Sequence, residues 1–392
     1  MLSPEIADIF RQNLDKLQKL SKQQWKVVNA IMSCRTGKLG GHILKCPECS
    51  HIKYLYHSCR NRHCPKCGSL AKARWLEKKM NEVLPVEYYH VVFTLPSQLN
   101  LIARYNERLF YNLLFKAVKE TLLEAGRNPD NICCEIGFLA VLHTWGQNLL
   151  DHPHIHCVVP GGGLSMNKKK WINCKKGFFI SVKKLSRLFR GKFLYYLKRY
   201  YKNNKLKLTG KIEHFKNRLL FQDLIDNLYH QNWVVYSKKS FSNPKQVFDY
   251  LGRYTHRIAI TNNRVVSLKN DRVSFRWKDY KDDNNIKIMS LNVNEFMRRF
   301  LLHVLPDNFV RIRSYGILSN RNKEKFKLCK KYLKVKDEEN KKIKTESWYE
   351  LFLRLTGVDI RLCECCHIGR YILIGSIDNT KLEYNPFKID SS

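Results

Sequence analysis

The chain has 392 residues, with 71 Lys and Arg against 34 Asp and Glu, a formal charge of +37. A hydrophobic fraction of 44%, with 12% aromatic residues, excludes wholesale disorder, and the length allows two or three domains. The charge points to a polyanionic partner, nucleic acid first, although joint enrichment in Lys, Asn, Ile, Tyr and Phe is also what a compositional bias of the source genome produces.

In chain order, residues 3–32 carry Ile6, Phe10, Leu14 and Leu17 at helical spacing behind Ser3 and Pro4, and predict an amphipathic helix. The N-terminus shows no basic-then-apolar secretory pattern, and no apolar run approaches the roughly 18 residues of a membrane span. An intracellular, soluble protein with no membrane partner is expected, so its 14 cysteines read as metal ligands and buried thiols rather than disulfides. Between Cys34 and Cys67 short segments dense in Cys, His, Gly and Pro cannot form a conventional core. A helix is predicted over 71–83, a strand over 90–95, a helix over 105–125, and strands over 138–144 and 152–159. Residues 168–218 are very basic and helical in pattern, with Tyr195, Tyr196, Tyr200 and Tyr201 among the cations, and read as an insertion or arm. A strand at 233–236, a helix opened by Pro244, strands at 264–268 and 273–277, a helix over 293–304 and a strand at 308–314 complete the pattern. Three domains are expected: 1–84 with the cysteines, 85–315 with the basic insertion at about 165–220, and a basic C-terminal region 316–392.

Three constellations carry chemistry. Cys46-Pro-Glu-Cys49 and Cys64-Pro-Lys-Cys67 are two CxxC knuckles at the spacing of a structural zinc ribbon, where four thiolates replace a core. Cys34, His42, Cys59 and His63 lie around them and supply either a second zinc or exchangeable ligands. Next, in His152-Pro-His154-Ile-His156 strand alternation puts His154 and His156 on one face, about 7 Å apart. If residues 138–147 fold back as a hairpin through 148–151, Gln147 stands opposite His152 and diagonal to His154 as a third ligand. Third, Tyr250 and Tyr254 lie four apart on a helix, with Arg253 and Arg257 on an adjacent stripe suited to phosphates. Such a tyrosine pair is ordinary packing by itself and takes its meaning from the histidines upstream. The group Cys363 to His367 is half a metal site, to which Cys329 is a candidate addition, and no P-loop is present.

Together these resemble a known family. His154-Ile-His156 resembles the histidine–hydrophobic–histidine (HUH) motif of rolling-circle endonucleases, and Tyr250 with Tyr254 resembles their two-tyrosine helix. The run from Cys34 to Cys67 is similar to the zinc-binding domain of bacterial transposases of the insertion-sequence family 91 type, and Ser314 to Arg321 to a segment after their catalytic core. The resemblance covers roughly residues 5–330. It implies an α+β fold: a central antiparallel sheet flanked by helices, an N-terminal zinc-ribbon-like domain and a basic helical insertion. It also implies an enzyme that nicks and joins single-stranded DNA at element ends and target in rolling-circle transposition, in the bacterial cytoplasm at the nucleoid. In that picture His154, His156 and Gln147 hold Mg²⁺ or Mn²⁺, Tyr250 or Tyr254 attacks to leave a 5′-phosphotyrosine, Arg253 and Arg257 bind DNA, and Zn²⁺ is structural. A replication initiator or relaxase would share the chemistry, and a zinc-ribbon regulator would share the charge and the cysteines alone.

Overall fold

The computed structural model describes residues 3–80, 82–241, 246–247, 252, 258–279, 282–335 and 346–379. Two compact units are present, and neither is one stretch of chain. The first comprises Met1–Arg74, Ile258–Val304 and Glu338–Ser392, and the second Trp75–Arg257 and Leu305–Asp337. The units therefore do not follow the linear division into 1–84, 85–315 and 316–392.

In the first unit, the single helix expected over 3–32 is two helices, Ile6–Gln12 and Lys22–Ser33. Asn13 ends the first by turning its side chain back to the Ile9 carbonyl. Ser21 and Gln24 open the second as a capping box, each side chain accepting from the other's backbone N–H at 3.2 and 2.9 Å. Strands β1 (Gly41–Lys45) and β2 (Ile52–Tyr56) form an antiparallel hairpin, extended on the β1 side by a strand from the far end of the chain, β14 (Ile372–Ile377). A meander of β10 (Val265–Lys269), β11 (Arg272–Asp279) and β12 (Asn285–Asn292) is followed by the helix Val293–Leu301. Phe296 of that helix meets Phe275 at 5.7 Å and Phe300 meets Phe10 at 5.5 Å, which is why residues 258–304 belong with the N-terminus.

The second unit is built on a five-stranded antiparallel sheet in the order β13-β5-β6-β3-β9. Its strands are β3 (Tyr88–Thr94), β5 (Gly137–Trp145), β6 (Asp151–Pro160), β9 (Val235–Phe241) and β13 (Ile312–Gly316). A small sheet combines β4 (Cys134–Glu135), just before the β5–β6 hairpin, with β7 (Gly162–Ser165) and β8 (Trp171–Asn173) after it. One face of the large sheet presents Val91, Phe93, Ala140, Leu142, Ile155 and Cys157 to the helices Glu107–Arg127 and Val182–Lys202, and all are buried. Alternation then sends His90, His143, His154 and His156 to the other face.

The basic segment expected as an arm is part of this core. Leu185, Phe189, Phe193 and Leu197 recur every four residues along Val182–Lys202 and are fully buried, while the lysines and arginines lie on the remaining faces. Tyr196 donates to Glu120 at 2.7 Å and Tyr201 stacks on Phe221 at 3.7 Å, so these two aromatics hold helices together. Tyr195 is the exposed one.

Candidate functional site

Histidines converge at the centre of the sheet. In the β5–β6 register His143 stands opposite His154 and Val141 opposite His156. Ligand nitrogens of His143, His154 and His156 lie within 4.8 Å of one another, and the three rings pack with centroids 4.6 to 5.5 Å apart. His143 stacks on Trp145 at 4.9 Å, and all three histidines are largely buried. Three convergent imidazoles are a donor set suited to one divalent ion.

Sequence reasoning missed His143, and the cause is a shift of two residues along the hairpin. The turn occupies residues 146–150, with Leu149 left-handed at φ 61° and Gly146 donating to the Leu150 carbonyl, so Trp145 pairs with Asp151. Gln147 consequently lies in the turn rather than opposite His152. A two-residue shift preserves which face each side chain takes, and it sets His143 opposite His154. Asp151 anchors the start of β6 by accepting from Arg104 Nε at 2.6 Å.

Ring tautomers follow from the hydrogen bonds. His154 Nδ1 faces the His152 carbonyl, so it carries the proton and leaves Nε2 as the donor atom. His156 Nδ1 lies 2.8 Å from His90 Nε2, and the two rings stack at 5.1 Å. Burial holds the His90 pKa down to about 4, so this ring is neutral and can accept from His156 Nδ1–H, which places the His156 lone pair on Nε2. Burial also lowers the His152 pKa. A cleft of about 330 Å³, lined among others by Thr94, Asp151, His152 and Trp233, opens beside this strand end.

Cysteines form two clusters in the first unit. Cys34, Cys59, Cys64 and Cys67 bring their sulfurs within 4.8 Å of one another, and Cys46, Cys49, Cys363 and Cys366 do the same. The ribbon expected from Cys46, Cys49, Cys64 and Cys67 is thus divided, each knuckle taking a different partner. Cys34 and Cys59 join Cys64 and Cys67, whereas His42 and His63 stand outside both clusters; His42 packs on His57 at 4.8 Å. Hydrogen bonding with Cys59, Cys64 and Cys67 holds the Cys34 thiol well below its ordinary pKa, while bonding with Cys34 drives Cys59 far above it. Four sulfurs competing for protons in this way suit replacement of those protons by one cation. Tyr250, Tyr254, Arg253 and Arg257 lie outside the described residues. Among the described residues, no helix is long and apolar enough to cross a membrane.

Comparison with known proteins assigns the same two regions. A family model described as "Putative transposase" matches residues 137–325, and one described as "Transposase zinc-binding domain" matches residues 5–95. The chain is 46% identical over 381 residues to "Putative transposase y4qJ" of Sinorhizobium fredii, covering 96% of each. It is 26% identical over 314 residues to "Transposase for insertion sequence element IS801" of Pseudomonas savastanoi pv. phaseolicola, covering 79% of this chain and 72% of that one. No solved structure matches the chain.

Proposed function

The chain belongs to the family of insertion-sequence 91-type transposases, with an N-terminal transposase zinc-binding domain, and from that premise we propose that it nicks and rejoins single-stranded DNA at the ends of its element, with a tyrosine as nucleophile, in rolling-circle transposition. The observation that carries this reading is the trio His143, His154 and His156 on adjacent central strands. These three residues would hold Mg²⁺ or Mn²⁺, and the ion, when bound, supplies Lewis-acid polarisation of the scissile phosphate.

The remaining work falls to the protein. His90 and the His152 carbonyl orient His156 and His154. In the proposed reaction Tyr250 or Tyr254 attacks phosphorus. The tyrosine Oη–P bond forms, the P–O3′ bond breaks, and the phenolic proton is passed on as the 3′-hydroxyl is released. The 5′-phosphotyrosine conserves the phosphodiester energy, so rejoining by a 3′-hydroxyl requires no ATP. Arg253 and Arg257, four residues apart in the sequence, are proposed to bind the DNA phosphates. The charge of +37 supports a DNA partner throughout. The site of action is bacterial DNA in the cytoplasm.

The test uses labelled single-stranded oligonucleotides from both flanks of the gene, incubated with Mn²⁺ or EDTA. A denaturation-resistant protein–DNA adduct is expected with Mn²⁺, lost in Tyr250→Phe/Tyr254→Phe and kept in Tyr236→Phe, whose exposed ring lies on the histidine face 6.0 Å from His90. An adduct that survives the double variant would refute the tyrosine assignment. Equal adduct in EDTA would refute the metal.

A further inference from the structure

We propose that Cys46, Cys49, Cys363 and Cys366 form a second zinc site, separate from that of Cys34, Cys59, Cys64 and Cys67, which fastens the C-terminal segment to the N-terminal zinc-binding sheet. The model of the zinc-binding domain ends at residue 95 and includes only half of these ligands. Geometry supplies the first argument. Cys46 and Cys366 sulfurs are 3.7 Å apart, and Cys49 and Cys363 sulfurs 3.6 Å. Zn–S bonds of about 2.3 Å in a tetrahedron place sulfurs about 3.8 Å apart, whereas a disulfide would need about 2.05 Å.

The two halves are also built alike. In the first, Ser50 N–H donates to the Cys46 carbonyl at 3.0 Å, Cys46 N–H donates to His51 at 2.9 Å, and Ser50, directly after Cys49, is left-handed at φ 58°. In the second, His367 N–H donates to the Cys363 carbonyl at 3.0 Å, Cys363 N–H donates to Gly369 at 2.8 Å, and His367, directly after Cys366, is left-handed at φ 56°. Both are tight knuckles that turn two sulfurs toward one point. Backbone N–H groups of Cys365 and Gly369 face the sulfurs of Cys363 and Cys366 at 3.4 and 3.5 Å, the arrangement that stabilises thiolate charge.

Two features commit the C-terminal knuckle to this partner. A Cβ on Gly369 would sit 2.5 Å from Cys46 Sγ, so only glycine lets the turns approach. The chain then passes directly into β14, which pairs with β1 from Lys45↔Ile372 to Gly41↔Ile377. Lys53 on the neighbouring strand adds an ion pair to Glu364 at 2.7 Å. Zinc binding here would displace the thiol protons and close a loop of more than 300 residues, joining both ends of the chain into one zinc-dependent body.

The experiment measures zinc per chain by mass spectrometry in the full-length protein carrying His154→Ala/His156→Ala, so that the histidine site does not count. Two zinc ions are expected. Cys363→Ser/Cys366→Ser should leave one, adding Cys46→Ser/Cys49→Ser should remove no more, and adding Cys64→Ser/Cys67→Ser should remove the last. Two zinc ions retained without Cys363 and Cys366 would overturn the site. Should that variant lose all its zinc, the unsubstituted protein is stripped by chelator, oxidised and mapped for disulfides. Cys46–Cys366 and Cys49–Cys363 links support the pairing; links from Cys46 and Cys49 to Cys64 and Cys67 overturn it.

Discussion

The histidine cluster and the cysteine clusters both bring together donor atoms suited to a metal ion, yet they stand in opposite relations to the fold. His143, His154 and His156 ride on the polar side of strands whose other side is sealed by Phe93, Phe115, Phe189 and Ile155, all fully buried. That sheet therefore has an apolar core that owes nothing to an ion. Around the cysteines the β-strands are five or six residues long, and Ile52, Tyr54, Ile372 and Leu373 are exposed, so no apolar core closes there. On the proposed reading, an ion at the histidines would be a guest of a finished scaffold, whereas zinc at the cysteines would stand in for a core.

Stripping zinc tests this most severely. Structural zinc is worth about 10–16 kcal/mol in small zinc domains, so chelator should unfold the cysteine-bearing sheet and sharply lower the thermal transition of the first unit, whose helices keep an apolar core around Phe10, Phe275 and Phe296. The transition of the second unit should stay. Two separable transitions in calorimetry, only one sensitive to chelator, are expected; a single transition that collapses with zinc would break the contrast. The converse is a core substitution. Phe189 packs edge-on against Phe93 at 5.1 Å and Trp233 at 5.2 Å, and Phe189→Ala should cost about 3–5 kcal/mol in the second unit with zinc content unchanged.

The same contrast explains how much the sequence disclosed. Strands 137–145 and 151–160 are legible because their apolar runs are local, and so is the face shared by His154 and His156. What was not legible is register. It depends on how residues 146–150 turn, and a shift of two residues sets His143 opposite His154 and leaves Gln147 in the turn. For the cysteines the CxxC knuckles are plain, but their pairing is fixed by tertiary structure across some 300 residues, which no local spacing encodes. The helical character of the basic segment is legible, but its packed face is not: its cations outnumber its core positions and mask the stripe Leu185, Phe189, Phe193, Leu197. The tyrosine helix stays an inference from sequence, since Tyr250 and Tyr254 lie outside the described residues.

If the histidine site is a guest on a rigid scaffold, the groups that aim its ligands should affect metal affinity without affecting folding. His90→Ala removes the ring that holds His156 Nδ1 and should weaken Mn²⁺ binding about 10- to 100-fold, measured by calorimetric titration, with secondary structure unchanged. Gln147→Ala should leave that affinity intact, while His143→Ala should lower it at least as much as His90→Ala. The reverse order would restore Gln147 as the third ligand.

The smallest expected effect concerns the scaffold alone. Glu107 lies at the start of the long helix behind the sheet, and its pKa is pushed up to about 7, first by burial and then by the negative charge of Asp151, against the opposing pull of Arg104. A carboxyl whose folded pKa exceeds its unfolded value of about 4.5 keeps its proton in the native state after the unfolded chain has released it. Its contribution is therefore complete below about pH 4.5 and declines as pH rises towards 7, beyond which no more is lost. Because the side chain is only partly sealed from solvent, the decline is on the order of 1–2 kcal/mol. Glu107→Gln cannot ionise, so its stability should gain on that of the unsubstituted protein between pH 5 and 8 by about that amount. Tyr111, packed nearby, leaves little room for rearrangement at this position, so the substitution should act through charge rather than shape. The gain should be the same with and without chelator if the second unit folds independently of metal. A gain that vanishes when metal is removed would mean that the scaffold, too, depends on its ion.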